Sequence, residues 1–599
     1  MPEYHSHHFH NGNFFMFKAN PLKLILALSF VSITAAGCNG SPDDSKIAPP
    51  STAEQGLLRY IPADTPYVFA MIDPLPDEVA DKFEPKLDAM LKTYQEVLRA
   101  TIQTRAADKS DAEDENENGI PDEAAALLEE LAGLLSIEGL RSAGIERDST
   151  MVLYGAGLLP VMRMTLSDGD LLEATIARVE KEANQSMAVT MIDGQSYRYA
   201  GDEEARLVVA VIDDEFVISI VPTNLPEDSL KSVLGLTLPS SSIADTGELQ
   251  KIIDDNGYQS HSVGLIDVER IVATFLDDQS GVNAELLTLM EYDGSVLSDV
   301  CKSEIRSMAT VVPRIITGYT EMSVEKFTSN TIVELRSDIA AGLGTLPAPV
   351  PGLGSEQGAL FSFGMSLDPL AAREFYASQL DAMEAEPYQC ELFAELQAGV
   401  VQGREVLNQP IPPMVYGFKG FLAVIEDIQG LDLAKKQPPT SADFRFLIAT
   451  NNAEGLLAMG AMFSPEIAAL DLQPDGVPVR FESPQFANVV DVAYVAMTEG
   501  ALALSMGAGT EARLGDMLTA AFSDPTPFMS MEMDAARYYD FIAQAVALED
   551  DEENPTPPEL KAAISEMVGV VGNMFSRMTI EIEFTERGVE FPTTIVLSD

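Results

Sequence analysis

The 599-residue chain has no tryptophan, three cysteines, five histidines, and 37 Lys and Arg against 94 Asp and Glu. Four of the histidines, His5, His7, His8 and His10, stand before Met16, which leaves His261 alone in the body of the chain. A Ser/His/Asp or Cys/His catalytic set would have to pass through that residue. It lies in Ser-His-Ser-Val-Gly-Leu, with no nucleophile elbow beside it. A transition-metal site of His and Cys ligands is starved in the same way. The lack of Trp disfavours carboxylate-pair glycoside chemistry, and no Lys/Arg cluster of the kind that binds phosphates is present, which argues against a nucleic-acid partner.

What is present begins with an address. Leu24 to Ala36 is a largely apolar run, free of charge, behind Lys18 and Lys23. It is shorter than the about 20 residues a spanning helix needs and has the flanks of a secretory signal peptide covering residues 1–37, with Met16 the better start. The end of the run, Ala35-Ala36-Gly37-Cys38, resembles the lipobox of bacterial lipoproteins. That resemblance implies cleavage after Gly37, acylation of Cys38 and anchoring by several acyl chains. Asn39 beside it resembles the sorting signal for the outer membrane, so the expected place is the cell envelope, facing the periplasm or the cell surface. Residues 38–56 then form a Pro- and Ser-rich tether with a flexible reach of roughly 20 to 25 Å. Loss of the leader removes Glu3, Lys18 and Lys23, so the mature charge is one unit more negative than −57. Such a charge keeps a chain soluble, and an apolar content of 46% spread along the sequence is that of a globular protein.

The body reads as a duplication. Tyr67 to Met90, YVFAMIDPLPDEVADKFEPKLDAM, returns as Leu360 to Met383, LFSFGMSLDPLAAREFYASQLDAM: an apolar strand, an Asp-Pro-Leu corner and an amphipathic helix. Met151-Val-Leu-Tyr154-Gly answers Met414-Val-Tyr416-Gly, Met162-Arg163-Met164 answers Phe444-Arg445-Phe446, and Asp267–Arg270 answers Asp534–Arg537. Alternating apolar runs flanking turns predict hairpins. Hairpins joined directly predict antiparallel sheets. The expected fold is α+β, two tandem domains (57–341 and 356–599), each a largely antiparallel sheet with packed helices, joined by a Pro/Gly linker at 342–355. Spacing places an insertion near 105–135 in the first copy, and one of about 20 residues, GFLAVIEDIQGLDLAKKQPPT, in the second. The opening Ile61-Pro62-Ala63-Asp64-Thr65 resembles an uncharacterised family of bacterial envelope proteins, which implies no activity.

Two local features bear on sites. Asp114-Glu-Asn116-Glu-Asn118-Gly119-Ile120-Pro121-Asp122 resembles the calcium loops of EF-hands and thrombospondin type 3 repeats. The resemblance implies a structural Ca²⁺ held by side chains of Asp114, Asn116, Asn118 and Asp122 and the carbonyl of Ile120. Position twelve is Ala125 rather than Glu, and the alternative is a solvated acidic loop. Cys301 and Cys390 are the cysteines left once Cys38 is acylated, and in an oxidising compartment they are disulfide candidates. The expected function is a non-catalytic binding or scaffold module at the membrane surface, held there by its anchor, with an envelope protein or a lipid as partner. The alternatives are a periplasmic carrier or sensor of a hydrophobic ligand, suggested by Met and Phe along the strands, and, third, a carboxylate-dependent hydrolase.

Overall fold

A computed structural model describes residues 56–108, 129–130, 132–182, 184, 186–412, 415–429, 441–482, 492–507, 509–546 and 558–598. Cys38 and the Asp114–Asp122 loop lie outside them.

The protein is α+β, with its described strands in one antiparallel sheet of 19. In chain order the first half runs β1 (Tyr67–Met71), α1 (Asp77–Asp108), β2 (Met151–Ala156), β3 (Leu159–Thr165), α2 (Gly169–Glu182), β4 (Ala188–Ile192), β5 (Gln195–Gly201), β6 (Ala205–Ile212), β7 (Glu215–Pro222), α3 (Glu227–Leu234), α4 (Glu248–Asn256), β8 (Val263–Asp267), α5 (Val268–Leu276), α6 (Asp299–Ala309), β9 (Arg314–Met322) and β10 (Lys326–Glu334). The second runs β11 (Phe361–Ser366), α7 (Pro369–Ala385), α8 (Ala394–Leu407), β12 (Phe418–Gln429), β13 (Ser441–Thr450), α9 (Ala453–Phe463), β14 (Val479–Phe481), β15 (Ala493–Met497), β16 (Ala501–Met506), α10 (Glu511–Leu518), β17 (Met529–Asp534), α11 (Ala535–Val546), α12 (Pro558–Met574), β18 (Phe575–Phe584) and β19 (Gly588–Leu597).

Outward from the centre, the first half is ordered β10-β9-β8-β1-β2-β3-β7-β6-β5-β4. The second is ordered β19-β18-β17-β11-β12-β13-β16-β15-β14. The order is the same except that β4 has no counterpart among the described residues. The halves are not separate sheets, because β10 and β19, the corresponding strands of the two, pair from Lys326↔Val596 to Glu334↔Gly588. The hairpin turns match as well: the N–H of Ser323 donates to the carbonyl of Lys326, and that of Thr585 to Gly588. Matching those turns makes Asn330 and Pro592 counterparts, and these two are directly opposite each other in the seam. A local two-fold axis therefore passes between them.

The ladder corrects three readings of the sequence. Val68 pairs with Tyr154 and Ser362 with Val424, so the counterpart of β2 is β12, inside the stretch read as an insertion, and not Met414–Tyr416. Val161 lies opposite Ser219 as Arg445 lies opposite Ser505, so Arg445 corresponds to Val161, and Arg163 sits two residues farther along its strand. The Pro/Gly stretch at 342–355 is no free linker. Val350 and Leu353 are fully buried in the core of the second half, and a Cβ on Gly364 would lie 2.6 Å from the Leu353 side chain. Glycine is what lets that segment lie against the sheet.

The repeated acids are caps. Asp267 and Asp534 accept the backbone N–H of Arg270 (2.8 Å) and Arg537 (3.1 Å) at the starts of α5 and α11. Asp368 accepts from Leu370 and Ala371 at α7. Each satisfies N–H groups that a helix start leaves unpaired. Ile61 is fully buried, and the Thr65 hydroxyl donates to the carbonyl of Gly155 at 2.9 Å, so the Ile61–Thr65 opening is a packed corner against β2.

Candidate functional site

Because side chains alternate across a strand, the sheet has two faces, and in the second half they differ sharply. One carries small residues and is closed: Ser362, Gly364 and Ser366 of β11 are buried, as are Leu447 and Ala449 of β13 and Ala501 and Ala503 of β16. The 345–358 segment and α10, through Leu514, Met517 and Leu518, seal it. The other face carries the large residues, and they are only half buried: Phe361, Phe363, Met365, Phe421, Phe444 and Phe446. The usual rule is the reverse, since large apolar groups gain most from leaving water.

These rings form a connected surface, with centroids 5.8 Å apart for Phe363–Phe421 and 6.0 Å for Phe421–Phe446. Met529 and Met531 of β17, then Ile580 and Ile582 of β18, extend it through successive cross-strand pairs. The three rows between Met365, Phe421 and Ile448 at one end and Phe361, Ile425 and Phe444 at the other hold no ionisable side chain; Lys419, paired with Asp368, stands just beyond them. Toward the seam it turns to hydroxyls. Thr593 is opposite both Ile580 and Ser329, and the Thr317 and Thr331 hydroxyls meet at 2.8 Å.

The first half provides an internal control. Met162 and Met164, the counterparts of Phe446 and Ile448, are 4% and 3% exposed. They are covered by α2, whose Leu172 joins them in a core with Phe216. The helix at the same place in the second half, α9, buries Ala453 alone, and its Met462 and Phe463 are 80% and 84% exposed. The α7–α8 hairpin is as loosely seated: α7 has no buried residue, and α8 has only Val400. The opening reaches past the seam to Phe69, 38% exposed although β1 has neighbours on both sides.

Charge collects elsewhere. At the seam, on the opposite face, burial pushes Glu581 up, and burial with the nearby Glu581 and Glu590 does the same to Glu583. Glu590, opposite Glu583, is held below its ordinary range. Burial opposes its charge, but hydrogen bonds from Thr585, Asn330 and Arg587 outweigh that. A raised carboxyl facing a lowered one is the arrangement of an acid–base pair. Glu590, however, is buried and fully engaged by Asn330, Thr585 and Arg587, which leaves it nothing for a substrate.

Arg163 is fully buried, donating to Glu215 (2.7 Å) and to the carbonyl of Leu234 (2.6 Å), with its guanidinium 3.7 Å from the Tyr60 ring centroid. It ties β3 to β7 and α3, a structural role. His261 rests against the backbone carbonyl of Asp73, whose side chain is engaged by Ser260, and among the described residues no Ser, Thr or Cys side chain is hydrogen-bonded to its ring. Cys301 on α6 and Cys390 after α7 are bonded, with Cα atoms 4.7 Å apart, and the Glu304 carboxylate accepts the N–H groups of Gln389 and Cys390 beside them. Among the described residues no group of three or more His, Cys, Asp or Glu is placed to hold a metal, and no helix is long and apolar enough to cross a membrane.

The open face was half legible. Met and Phe along the strands were visible, but only the ladder shows that Phe-Ser-Phe-Gly-Met-Ser (361–366) and Ala-Leu-Ala-Leu-Ser-Met (501–506) put every small residue on one side. Comparison with family models, with curated proteins and with solved structures found no match.

Proposed function

We propose that this protein is a non-catalytic, lipid-anchored protein of the cell envelope that binds a hydrophobic ligand on the open face of its second half, as a carrier or sensor. The observation that carries the reading is the inverted burial: β11 and β13 present Phe361, Phe363, Met365, Phe444 and Phe446 only partly buried while Ser362, Gly364, Ser366 and Ala449 beside them are sealed. An apolar surface of this extent on a chain of net charge −57 is a binding surface before it is anything else. Aromatic and Met side chains suit it, since they adapt to an apolar guest without fixing its shape. Repetition of the strand order and of the capping Asp supports descent of both halves from one duplicated α+β unit. In that history one copy closed its face with α2, and the other kept it open.

The test uses the mature chain and the environment-sensitive probe N-phenyl-1-naphthylamine. Fluorescence should rise on binding, and Phe363→Glu or Phe446→Glu should weaken affinity at least tenfold, because a carboxylate placed on this surface is poorly solvated. Far-UV circular dichroism checks that the variants fold. A probe that fails to bind, or binds both folded variants as it does the parent, overturns the reading.

A further inference from the structure

The dimensions and chemistry of the open face name the ligand more closely, and this step rests on the reading above. From β18 to β13, where Leu502 and Leu504 of the next strand begin to pack against α9, the apolar part crosses five strands, about 19 Å at a strand spacing of about 4.8 Å, with Tyr538 of α11 stacked on Phe361 at one edge. It is three cross-strand rows deep, about 14 Å along the strands. An acyl chain of one bilayer leaflet spans about 15 Å, half of a core of about 30 Å. The surface is thus too large for one such chain and fits two or more.

Toward the seam two of the rows change character: Thr593 and Ser329 follow Ile580, and beyond Phe591 come Thr331 and Thr317, while the row of Met578 stays apolar through Ile595 and Phe327. Thr317 and Thr331 satisfy each other, whereas the hydroxyls of Ser329 and Thr593, half buried and opposite each other, have no side-chain hydrogen bond among the described residues. Val79 and Phe83 of α1 pack over Phe327 and Tyr319 at one edge of this patch, so it is a polar floor beside an apolar wall. We infer that the ligand is a membrane lipid with at least two acyl chains, lying across β11–β18 with its polar head on the Ser329/Thr593 patch, where hydroxyls donate to phosphate or ester oxygens.

The chain's own anchor is the rival occupant, and distance disfavours it. Leu57 packs with Val152 and Tyr154 of β2, on the sealed side of the sheet. From β2 to β18, the nearest strand of the apolar part, is six strand spacings, about 29 Å, against the roughly 20 to 25 Å expected of residues 38–56 from their composition.

The experiment compares the acylated protein with its Cys38→Ser form, incubated with vesicles of phosphatidylglycerol and, separately, with palmitic acid. Bound lipid is counted by native mass spectrometry and affinity is read by displacement of N-phenyl-1-naphthylamine. The inference expects a one-to-one phosphatidylglycerol complex in both forms. A Ser329→Ala/Thr593→Val variant should bind phosphatidylglycerol about tenfold more weakly, as loss of two hydrogen bonds implies, and palmitic acid unchanged. Palmitic acid bound without phosphatidylglycerol, or no change of phosphatidylglycerol affinity in the double variant, overturns the inference and leaves the apolar site standing. Phosphatidylglycerol binding by the Cys38→Ser form alone assigns the face to the anchor and overturns it too. Failure of every apolar ligand would instead remove the function proposed above.

Discussion

Replacing Cys301 and Cys390 with serine should destabilise the protein by an amount the structure lets one work out. The cysteines are 89 residues apart in sequence. In the chain-entropy model a closed loop of that size restricts the unfolded chain by about 4.5 kcal/mol. The folded state should change little, because the loop ends are also held by the β10–β19 pairing and by the Glu304 carboxylate on Gln389 and Cys390. Both cysteines are buried, so serine adds a modest polar cost of the same sign. With a urea slope of about 3 kcal/mol/M, the midpoint should fall by about 1.5 M. Far-UV circular dichroism is the suitable probe, since the chain has no tryptophan to follow. The spectrum without urea should match the parent, and reduction of the parent should reproduce the shift. A midpoint lowered by less than about 0.3 M would refute the reasoning, showing that the two segments stay associated in the denatured chain or that the bridge constrains nothing the rest does not.

Other consequences are as direct. Glu581 and Glu583 have carboxyls pushed above the ordinary range, so their contribution is present below the unfolded carboxyl pKa and lost as pH rises through the folded one. Glu581→Gln should therefore raise stability at neutral pH and flatten its decline as pH rises above the ordinary carboxyl range, and an unaltered pH profile by thermal unfolding counts against it. Arg163→Met should cost about 3 to 5 kcal/mol in urea unfolding, since it strips the carbonyl of Leu234 and part of the Glu215 carboxylate of their donor; a loss under about 1 kcal/mol would make the cluster incidental. Calorimetric titration with millimolar Ca²⁺ should give heat that Asp114→Ala abolishes, with an affinity in the ~10⁻⁴ to 10⁻³ M range of extracellular modules. No heat, or heat that survives the substitution, returns that loop to an acidic linker.

Strand and helix types were legible because they are local: Tyr67–Met71 and Phe361–Ser366 alternate, and Asp368-Pro-Leu announces a capped helix start. Register was not. A period of two is unchanged by a slip of two, so Met-Arg-Met and Phe-Arg-Phe looked equivalent although the ladder offsets their arginines by two residues. The stretch at 342–355 was misread because Pro and Gly report irregular backbone, not exposure, and Val350 and Leu353 between them are core. The seam joins residues more than 250 positions apart, and no local pattern signals such a pairing.

The β10–β19 seam also sets an order of events. Every other described strand precedes β19 in the chain, so during synthesis the edge of β10 waits unpaired while the whole second half emerges. An open edge invites pairing with other chains, and contacts this distant in sequence form slowly. A polypeptide interrupted before Gly588 would hold the first half nearly finished yet adhesive along one side, whereas the complete one turns that same side into the centre of the molecule.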